Sequence, residues 1–477
     1  MTLRLLDDNP SLSLVDRTVA GIQRAIDAGH WRPGMRLPSI RRFAAEQGVS
    51  RFTVVEAYDR LVAQGVLVSK RGAGFYVAPE AAEPPPEERG CPLDRAVDTV
   101  WLIRGHLASE CLEIKPGSGY LPEDWLDQEG FRRSLRTLAR DTGPAWTQAA
   151  DPKGYPPLIE QVRRMLADCG IGAHPKQILL TRGGTGALRL IARYLIAPGD
   201  AILVEDPGYY LLFSDLRLSG AELVGVPRRA DGPDLEVLES LARQYRPRLF
   251  FLQSLLHNPT GTSLSAASAY RLLQIAERHN FHLVENDAYA ALAPETATRL
   301  AALDQLQRVI YLGSFSKVLS PSLPVGYIAC HPDLAEALTD LKMLSGLAAP
   351  DLAERLVHAW LAQGRHRKHL ERLRERLRKA LGETAARLAD AGLTLFHAPE
   401  DGWFLWARLP EALDSARLAR EALAEGLMFA PGNVFSPHPE PSPWLRFNAT
   451  RAQHPRIYRF LAQALDQGEA RPVRQSA

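Results

Sequence analysis

The sequence predicts an α/β protein in two parts: a small N-terminal winged helix-turn-helix and a larger C-terminal domain around a mostly parallel sheet. Three observations predict this. The first eighty residues read as helix, helix, tight turn, helix and hairpin; a proline-rich acidic stretch comes next at 79–88; and from about residue 177 short apolar strands alternate with helices. A chain of 477 residues has material for more than one core, and 46% hydrophobic with 23% charged residues is the balance of a globular protein. The formal net charge is only +2, so any site for a polyanion must be local. Cys91, Cys111, Cys169 and Cys330 are scattered without zinc spacing; they read as reduced thiols of a cytoplasmic protein, and no metal site is expected. No apolar run approaches transmembrane length, and the opening Met-Thr-Leu-Arg-Leu-Leu-Asp-Asp lacks the apolar stretch of a signal peptide.

Over residues 12–28, Leu14, Val15, Val19, Ile22 and Ile26 recur at helical spacing, and Gly29 stops the helix. The turn Arg32-Pro-Gly-Met-Arg-Leu-Pro-Ser39 ends in a serine able to cap a second helix, Ile40–Gln47. After Gly48-Val-Ser50, Ser50 caps a third helix over 51–64, and Gly65 ends it. Residues 66–77 form two short strands around Arg71-Gly72-Ala73-Gly74, the wing. From Trp31 to Val77 there are eight Lys and Arg against three Asp and Glu, a local excess of +5. Such an excess alone is usually a solvated face, but its placement fits nucleic acid. Arg51 and Thr53 stand in the first turn of the third helix, where a recognition helix meets base edges; Arg41 lies on the helix before, and Arg71 at the wing tip.

The run Leu37-Pro-Ser-Ile-Arg-Arg-Phe-Ala-Ala, then Val49-Ser-Arg-Phe-Thr-Val, and finally Gly72-Ala-Gly-Phe-Tyr-Val77 resembles a GntR-family DNA-binding domain. The resemblance implies double-stranded operator DNA as partner, with Arg41, Ser50, Arg51, Thr53, Arg71 and Gly72 as contacts. Phe52 departs from it, standing where a threonine or another small residue is common.

The Pro- and Glu-rich stretch 79–88 reads as a semi-extended tether. Helical periodicity over 93–107 (Val97, Val100, Trp101, Ile103, Leu107) suggests a helix that docks on the C-terminal domain. Strands are expected at 178–180, 201–204, 249–253, 281–284 and 309–312, with helices from Gly186 and near Tyr210. A parallel sheet of this kind holds its ligand at the carboxyl ends of its strands. The arginine-rich helix over 365–378 reads as a solvated face.

The chemistry gathers at those strand ends. In Tyr311-Leu-Gly-Ser-Phe-Ser-Lys317 a strand runs into small hydroxyl residues and one lysine. Burial there lowers an ammonium's pKa, and the neutral amine suits Schiff-base formation with an aldehyde. Ser314 can hold an anion beside it. Thr181-Arg-Gly-Gly-Thr-Gly-Ala-Leu188 comes after a strand and opens a helix, which makes its free N–H groups a phosphate cradle. Arg446, in Trp444-Leu-Arg-Phe-Asn448, offers a planar fork for a carboxylate, or else a structural ion pair.

Ser-Phe-Ser-Lys317 with Gly326-Tyr327 after it, Gly-Gly-Thr-Gly at 183–186, Asp206-Pro-Gly-Tyr209 and His257-Asn-Pro-Thr-Gly261 together resemble the fold-type-I aminotransferases. That resemblance implies a pyridoxal-phosphate transferase fold with a small α/β subdomain and pyridoxal 5'-phosphate on Lys317. It assigns the phosphate to Gly184, Thr185 and Ser314, ring stacking to Tyr209, and the phenolic oxygen to Asn258 and Tyr289. A carboxylate should keep the ring nitrogen protonated; family members place it three or two residues before the tyrosine, here Asn286 or Asp287, and the acid at Asp287 is favoured. Two other positions depart from the pattern. The arginine of Pro-x-Leu-Arg is Pro324, and the tyrosine given to the phosphate across a dimer is Ala149. Both losses weaken the expected phosphate grip and argue for little or no turnover.

A GntR-like domain tethered to an aminotransferase-like one resembles the MocR (GabR-like) transcriptional regulators over nearly the whole chain. The implied organisation is a winged helix at 1–79, a tether and docking helix at 80–110, the cofactor domain at 111–467 and a disordered tail at 468–477. The implied protein is a cytoplasmic homodimer whose DNA binding answers to an amine or amino acid at Lys317, with Arg446 gripping a carboxylate. The alternatives are a working aminotransferase with an appended DNA-binding domain, or a regulator whose pocket has abandoned the cofactor.

Overall fold

The computed structural model describes residues 12–70, 73–78, 97–107, 112–140, 149–294, 296–346, 351–364, 366–410 and 413–469. The chain divides into two compact units, Met1–Gly90 and Cys91–Ala477.

In the first unit, α1 (Leu14–Asp27), α2 (Ile40–Gln47) and α3 (Arg51–Ala63) precede the antiparallel strands β1 (Leu67–Lys70) and β2 (Gly74–Val77). The three serines that open the helices all act as N-caps: Ser13 accepts from Asp16, Ser39 from Arg42 and Ser50 from Thr53. Gly48, at φ +67°, turns the chain from α2 into α3, a conformation that glycine adopts without strain. The core gathers Ile22, Leu37, Phe43, Val54, Tyr58, Leu61, Leu67 and Val77. Tyr58 is fully buried between Phe43 and Phe75 edges, and its hydroxyl donates to the Pro38 carbonyl at 2.9 Å. The predicted winged helix-turn-helix is therefore present, with the wing-tip residues Arg71 and Gly72 outside the described residues.

In the second unit, α4 (Thr99–Leu107) buries Trp101 and Leu102 against Tyr210, Leu427 and Phe429, so this helix does dock on the large core. It begins later than periodicity suggested, and residues 93–96 of the expected helix lie outside the described residues. Helices α5 (Gln128–Ala139) and α6 (Pro156–Asp168) lead to strand β3 (Ile178–Thr181), helix α7 (Gly183–Leu195), β4 (Ala201–Asp206) and α8 (Tyr210–Leu218). The sheet continues through β5 (Glu222–Arg229), β6 (Gly232–Pro233), β7 (Leu249–Leu252), β8 (His282–Asp287), β9 (Val309–Ser314) and β10 (Gly326–Ala329). Its spatial order is β3-β10-β9-β8-β7-β4-β5-β6. The neighbours from β9 through β5 run parallel, whereas β10 is antiparallel to both β3 and β9, and β6 is antiparallel to β5.

Both faces of this sheet are apolar. One packs Val204, Phe251, Val284, Ile310 and Leu312 under α7 and α8; the other packs Leu203, Phe250, Leu283, Val309 and Tyr311 against α6 and the helix Ala266–Arg278. A smaller antiparallel sheet, β11 (Thr394–Leu395), β12 (Phe404–Arg408), β13 (Ala430–Pro431) and β14 (Trp444–Asn448), in the order β11-β12-β14-β13, forms the predicted subdomain. The long helix His366–Asp390 buries Leu370, Leu373, Leu377 and Leu381. Its arginines spread outward, Arg367, Arg376 and Arg378 reaching Asp168, Asp124 and Asp401 at the surface. The last helix, Pro455–Glu469, runs past position 468, where a disordered tail was expected to begin; residues 470–477 lie outside the described residues. Among the described residues no helix is long and apolar enough to cross a membrane, and Cys169 and Cys330 are free thiols.

Candidate functional site

The predicted phosphate cradle lies where β3 turns into α7. The helix begins at Gly183, three residues before the predicted start, so Gly184 and Thr185 fall in its first turn. First-turn N–H groups have no partner inside the helix, and the helix dipole favours an anion there. Gly183 takes φ +68°, and the chain after Lys317 returns so closely that a Cβ on Gly326 would lie 2.7 Å from the Gly183 carbonyl carbon. Ser314 reaches the same place: a Cβ on Gly184 would meet the Ser314 Cβ and the Leu312 Cδ1, each at 3.7 Å. Tyr209 is held above the turn, its hydroxyl 3.5 Å from the Thr185 Oγ1. Pro324 packs against Gly183, 3.6 Å from where a Cβ would stand, so it brings no charge to the cradle. Ala149 is exposed on this chain.

Lys317 lies beyond the end of β9. Its Nζ donates to the Gly119 carbonyl at 3.3 Å and sits 4.5 Å from the Tyr120 ring centre and 5.8 Å from that of Tyr289. Burial, with the Arg446 cation adding to it, pulls this amine down to about 7. Tyr120 was not read from the sequence; its only signal is the loop Pro116-Gly-Ser-Gly-Tyr120, whose glycines gave no motif.

Arg446, on β14, is 1% exposed. Its Nη1 donates to the Asn258 Oδ1 at 2.7 Å and its Nη2 to the Gly117 carbonyl at 2.6 Å, while the guanidinium lies between the Phe404 and Phe435 rings. The Nε is buried without a partner, and among the described residues no carboxylate pairs with this cation. A buried charge left without an ion-pair partner is costly, so Arg446 is not part of a structural ion pair among the described residues.

A buried network missed by sequence reading supports Asn258. Glu205, at the end of β4, accepts from Arg228, from the Gln253 N–H at 2.8 Å and from the His257 Nε2 at 3.2 Å. Burial opposes ionisation of Glu205, but Arg228 and then His257 outweigh it and hold the carboxyl below its ordinary range. Gln253 in turn accepts the Asn258 N–H at 3.2 Å, and the His257 Nδ1 meets the Thr260 Oγ1 at 2.8 Å. Positions 205 and 228 are far in sequence from each other and from 253 and 257, so only the parallel pairing of β4 with β5 and β7 reveals the cluster.

The predicted ring-nitrogen acid is displaced from this site. In the β8–β9 register Asn286 pairs with Leu312 and Asp287 with Gly313. Leu312 points to α7, so Asn286 shares the α7 side, and it lines a small cavity with Tyr209 and His257. Asp287 falls on the opposite face, where its Oδ2 accepts from the Arg299 Nε and the Tyr311 hydroxyl, both at 2.8 Å. Alternation along a strand is the reason, because adjacent residues cannot both face the cradle. The structure thus brings Gly184, Thr185, Tyr209, Asn258, Tyr289, Ser314, Lys317 and Arg446 to one side and leaves Asp287 on the other.

On the N-terminal unit, Arg41 and Arg51 are exposed, as is Ser50 at the start of α3. Phe52 is 75% exposed, an aromatic ring offered to solvent beside Arg51. Thr53 does not join them. It is 7% exposed, and its hydroxyl bonds the Ser50 Oγ at 2.8 Å, so it shapes the helix start instead of reaching outward.

Comparison with known proteins places both units. The model of the aminotransferase class I and II family matches residues 123–461, and that of the bacterial regulatory proteins of the gntR family matches residues 14–77. The uncharacterized HTH-type transcriptional regulator YdcR of Escherichia coli (strain K12) is 30% identical, over 90% of this chain and 93% of its own length. The probable rhizopine catabolism regulatory protein MocR of Rhizobium meliloti is also 30% identical, over 90% and 88%. Among solved structures, LysN, an alpha-aminoadipate aminotransferase from Thermus thermophilus complexed with N-(5'-phosphopyridoxyl)-L-leucine, superimposes with a TM-score of 0.70 at 30% identity, covering 77% of this chain and 95% of that one. The chain belongs to the MocR-like transcriptional regulators, in which a gntR-family helix-turn-helix domain is fused to an aminotransferase class I and II domain.

Proposed function

We propose that the chain is a cytoplasmic, homodimeric regulator that binds operator DNA and senses an amine or amino acid through pyridoxal phosphate held at Lys317. The observation that carries this reading is a buried lysine with an amine pulled down to about 7, facing an anion-binding helix start and an unpaired buried arginine. These residues fit the cofactor. The first-turn amides of Gly184 and Thr185, with Ser314, suit its phosphate; Tyr209 suits its ring face; Asn258 and Tyr289 suit its phenolic oxygen. When bound, the cofactor supplies an aldehyde for which the Lys317 amine and an effector amine can compete.

The chain's own residues do the rest. Lys317, which has a substantial deprotonated fraction at neutral pH, acts as nucleophile and can take or return a proton at its Nζ. Tyr120 and Tyr289 wall the amine from water. Arg446 orients an effector carboxylate through the Nη groups now given to Asn258 and the Gly117 carbonyl. Pro324 and Ala149 leave the phosphate with mostly neutral contacts, which favours reversible sensing over rapid turnover. At the DNA, Arg41, Arg51, Arg71 and Gly72 are the proposed contacts with Ser50, and Thr53 supports them from beneath.

The test is reciprocity between pocket and DNA. DNA selected by the protein from a random pool is titrated against cofactor-loaded wild type and Lys317→Ala, with and without candidate amines. The reading predicts that one amine class changes wild-type affinity by about 5- to 150-fold, the usual span of such coupling, while Lys317→Ala does not respond. Equal responses in both proteins contradict it.

A further inference from the structure

We infer that the side chain facing the cofactor's ring nitrogen is the Asn286 amide, so that this pocket holds the pyridine without an ionised partner. The inference rests on the reading of Lys317 and the α7 start as a pyridoxal-phosphate site. In that cofactor the ring nitrogen lies para to the carbon that bears the aldehyde. If the phosphate sat at α7 and the aldehyde at Lys317, this para relation would put the nitrogen on the side away from Lys317, toward the ends of the central strands. Asn286 ends there on the α7 side, paired with Leu312, and lines a small cavity beneath Tyr209. Its Oδ1 is buried without a hydrogen-bond partner, so nothing holds the amide in one orientation, and a half-turn about its Cβ–Cγ bond puts the Nδ2 donor in the same place.

No carboxylate among the described residues takes its place. Asp287 is on the far face and bound by Arg299 and Tyr311. Glu205 borders the same cavity, but its two oxygens are occupied by Arg228, Gln253 and His257. The His257 ring nitrogens are both engaged, by Glu205 and Thr260. An ionised acid stabilises a pyridinium; an amide carries no charge and can donate its Nδ2–H to a neutral ring nitrogen equally well. Amine exchange at the aldehyde needs no pyridinium, whereas stabilising a carbanion at Cα is much helped by one. The substitution therefore suits a receptor that recognises amines and does not transaminate them.

The experiment loads wild type and Asn286→Asp with pyridoxal phosphate carrying a nitrogen-15 ring label, and reads the nitrogen NMR shift at pH 7 against the free cofactor at neutral and acid pH. A neutral ring in the wild type and a protonated one in Asn286→Asp is the expected result. A protonated ring in the wild type overturns the inference, and the wild-type spectrum alone decides this if the variant does not fold. Absence of any Lys317-dependent visible band would instead overturn the cofactor site itself. As a second readout, an amino acid should convert the label to the pyridoxamine form in Asn286→Asp at a rate at least tenfold above wild type.

Discussion

At the scale of single residues, two buried ionisable groups separate chemistry from architecture. Burial pulls the Lys317 amine to about 7 from an ordinary 10.5, so the free base appears as pH rises through about 7. Covalent loading, trapped with borohydride at fixed cofactor, should therefore accelerate from pH 6 to pH 8 and then level off; a profile flat across that range contradicts a buried nucleophile. The same shift has a linked effect on stability. Between about 7 and 10.5 the unfolded chain binds the lysine's proton and the folded apoprotein does not, so stability rises with pH across that window. Lys317→Met should remove this slope in apoprotein melts. Asp287 is the opposite case, an acid whose partners are Arg299 and Tyr311. Asp287→Asn should cost about 3–5 kcal/mol by stranding a buried arginine, measured by urea unfolding, and leave cofactor affinity unchanged once folded. The choice between Asn286 and Asp287 was beyond the sequence for a physical reason. A shift of one residue in a strand reverses every side chain, and only the pairing with β9 sets the phase.

At the scale of elements, signals that act locally were legible and those that depend on assembly were not. Ser39 and Ser50 cap the helices they were expected to cap, because capping is decided within three or four residues. Thr53 was misplaced as an outward contact, since its exposure depends on how α3 packs and on the Ser50 hydroxyl. Strands β5 and β10 and the individual strands of the small subdomain went unread: β10 is four residues inside a glycine-bearing motif, and β11 and β13 are two residues each. The Glu205, Arg228 and His257 cluster was hidden in the same way. For α3, Arg51→Ala should weaken DNA binding and reduce the slope of log affinity against log salt by about 1 if Arg51 neutralises one phosphate. Phe52, 75% exposed, contributes little to the core, so Phe52→Ala should lower DNA affinity without lowering the melting temperature. A fall in melting temperature would assign Phe52 to folding instead.

At the scale of the whole molecule, the chain carries two compact units with separate cores. The division at Gly90 comes just after the proline- and glutamate-rich residues 79–88, whose composition offers little apolar surface. A ligand that binds only one folded unit stabilises that unit, by about 2.7 kcal/mol at a hundred times its dissociation constant. Calorimetry of the full chain should show pyridoxal phosphate raising the transition of the large unit and leaving that of the N-terminal unit in place. Of the departures from the aminotransferase pattern, Pro324 packs on the start of α7 and Asn286 ends on the α7 side of the sheet, while the lysine, the glycine-rich turn and Arg446 are kept. That pattern fits a pocket retained for recognition more than for turnover.

The most direct measurement of the central claim is the absorbance spectrum of the purified protein after pyridoxal phosphate is added and the excess removed, beside Lys317→Ala. A visible imine band, present in the wild type, abolished by borohydride and absent from Lys317→Ala, is the predicted result. No band at saturating cofactor, or an equal band in Lys317→Ala, would contradict a cofactor held on Lys317.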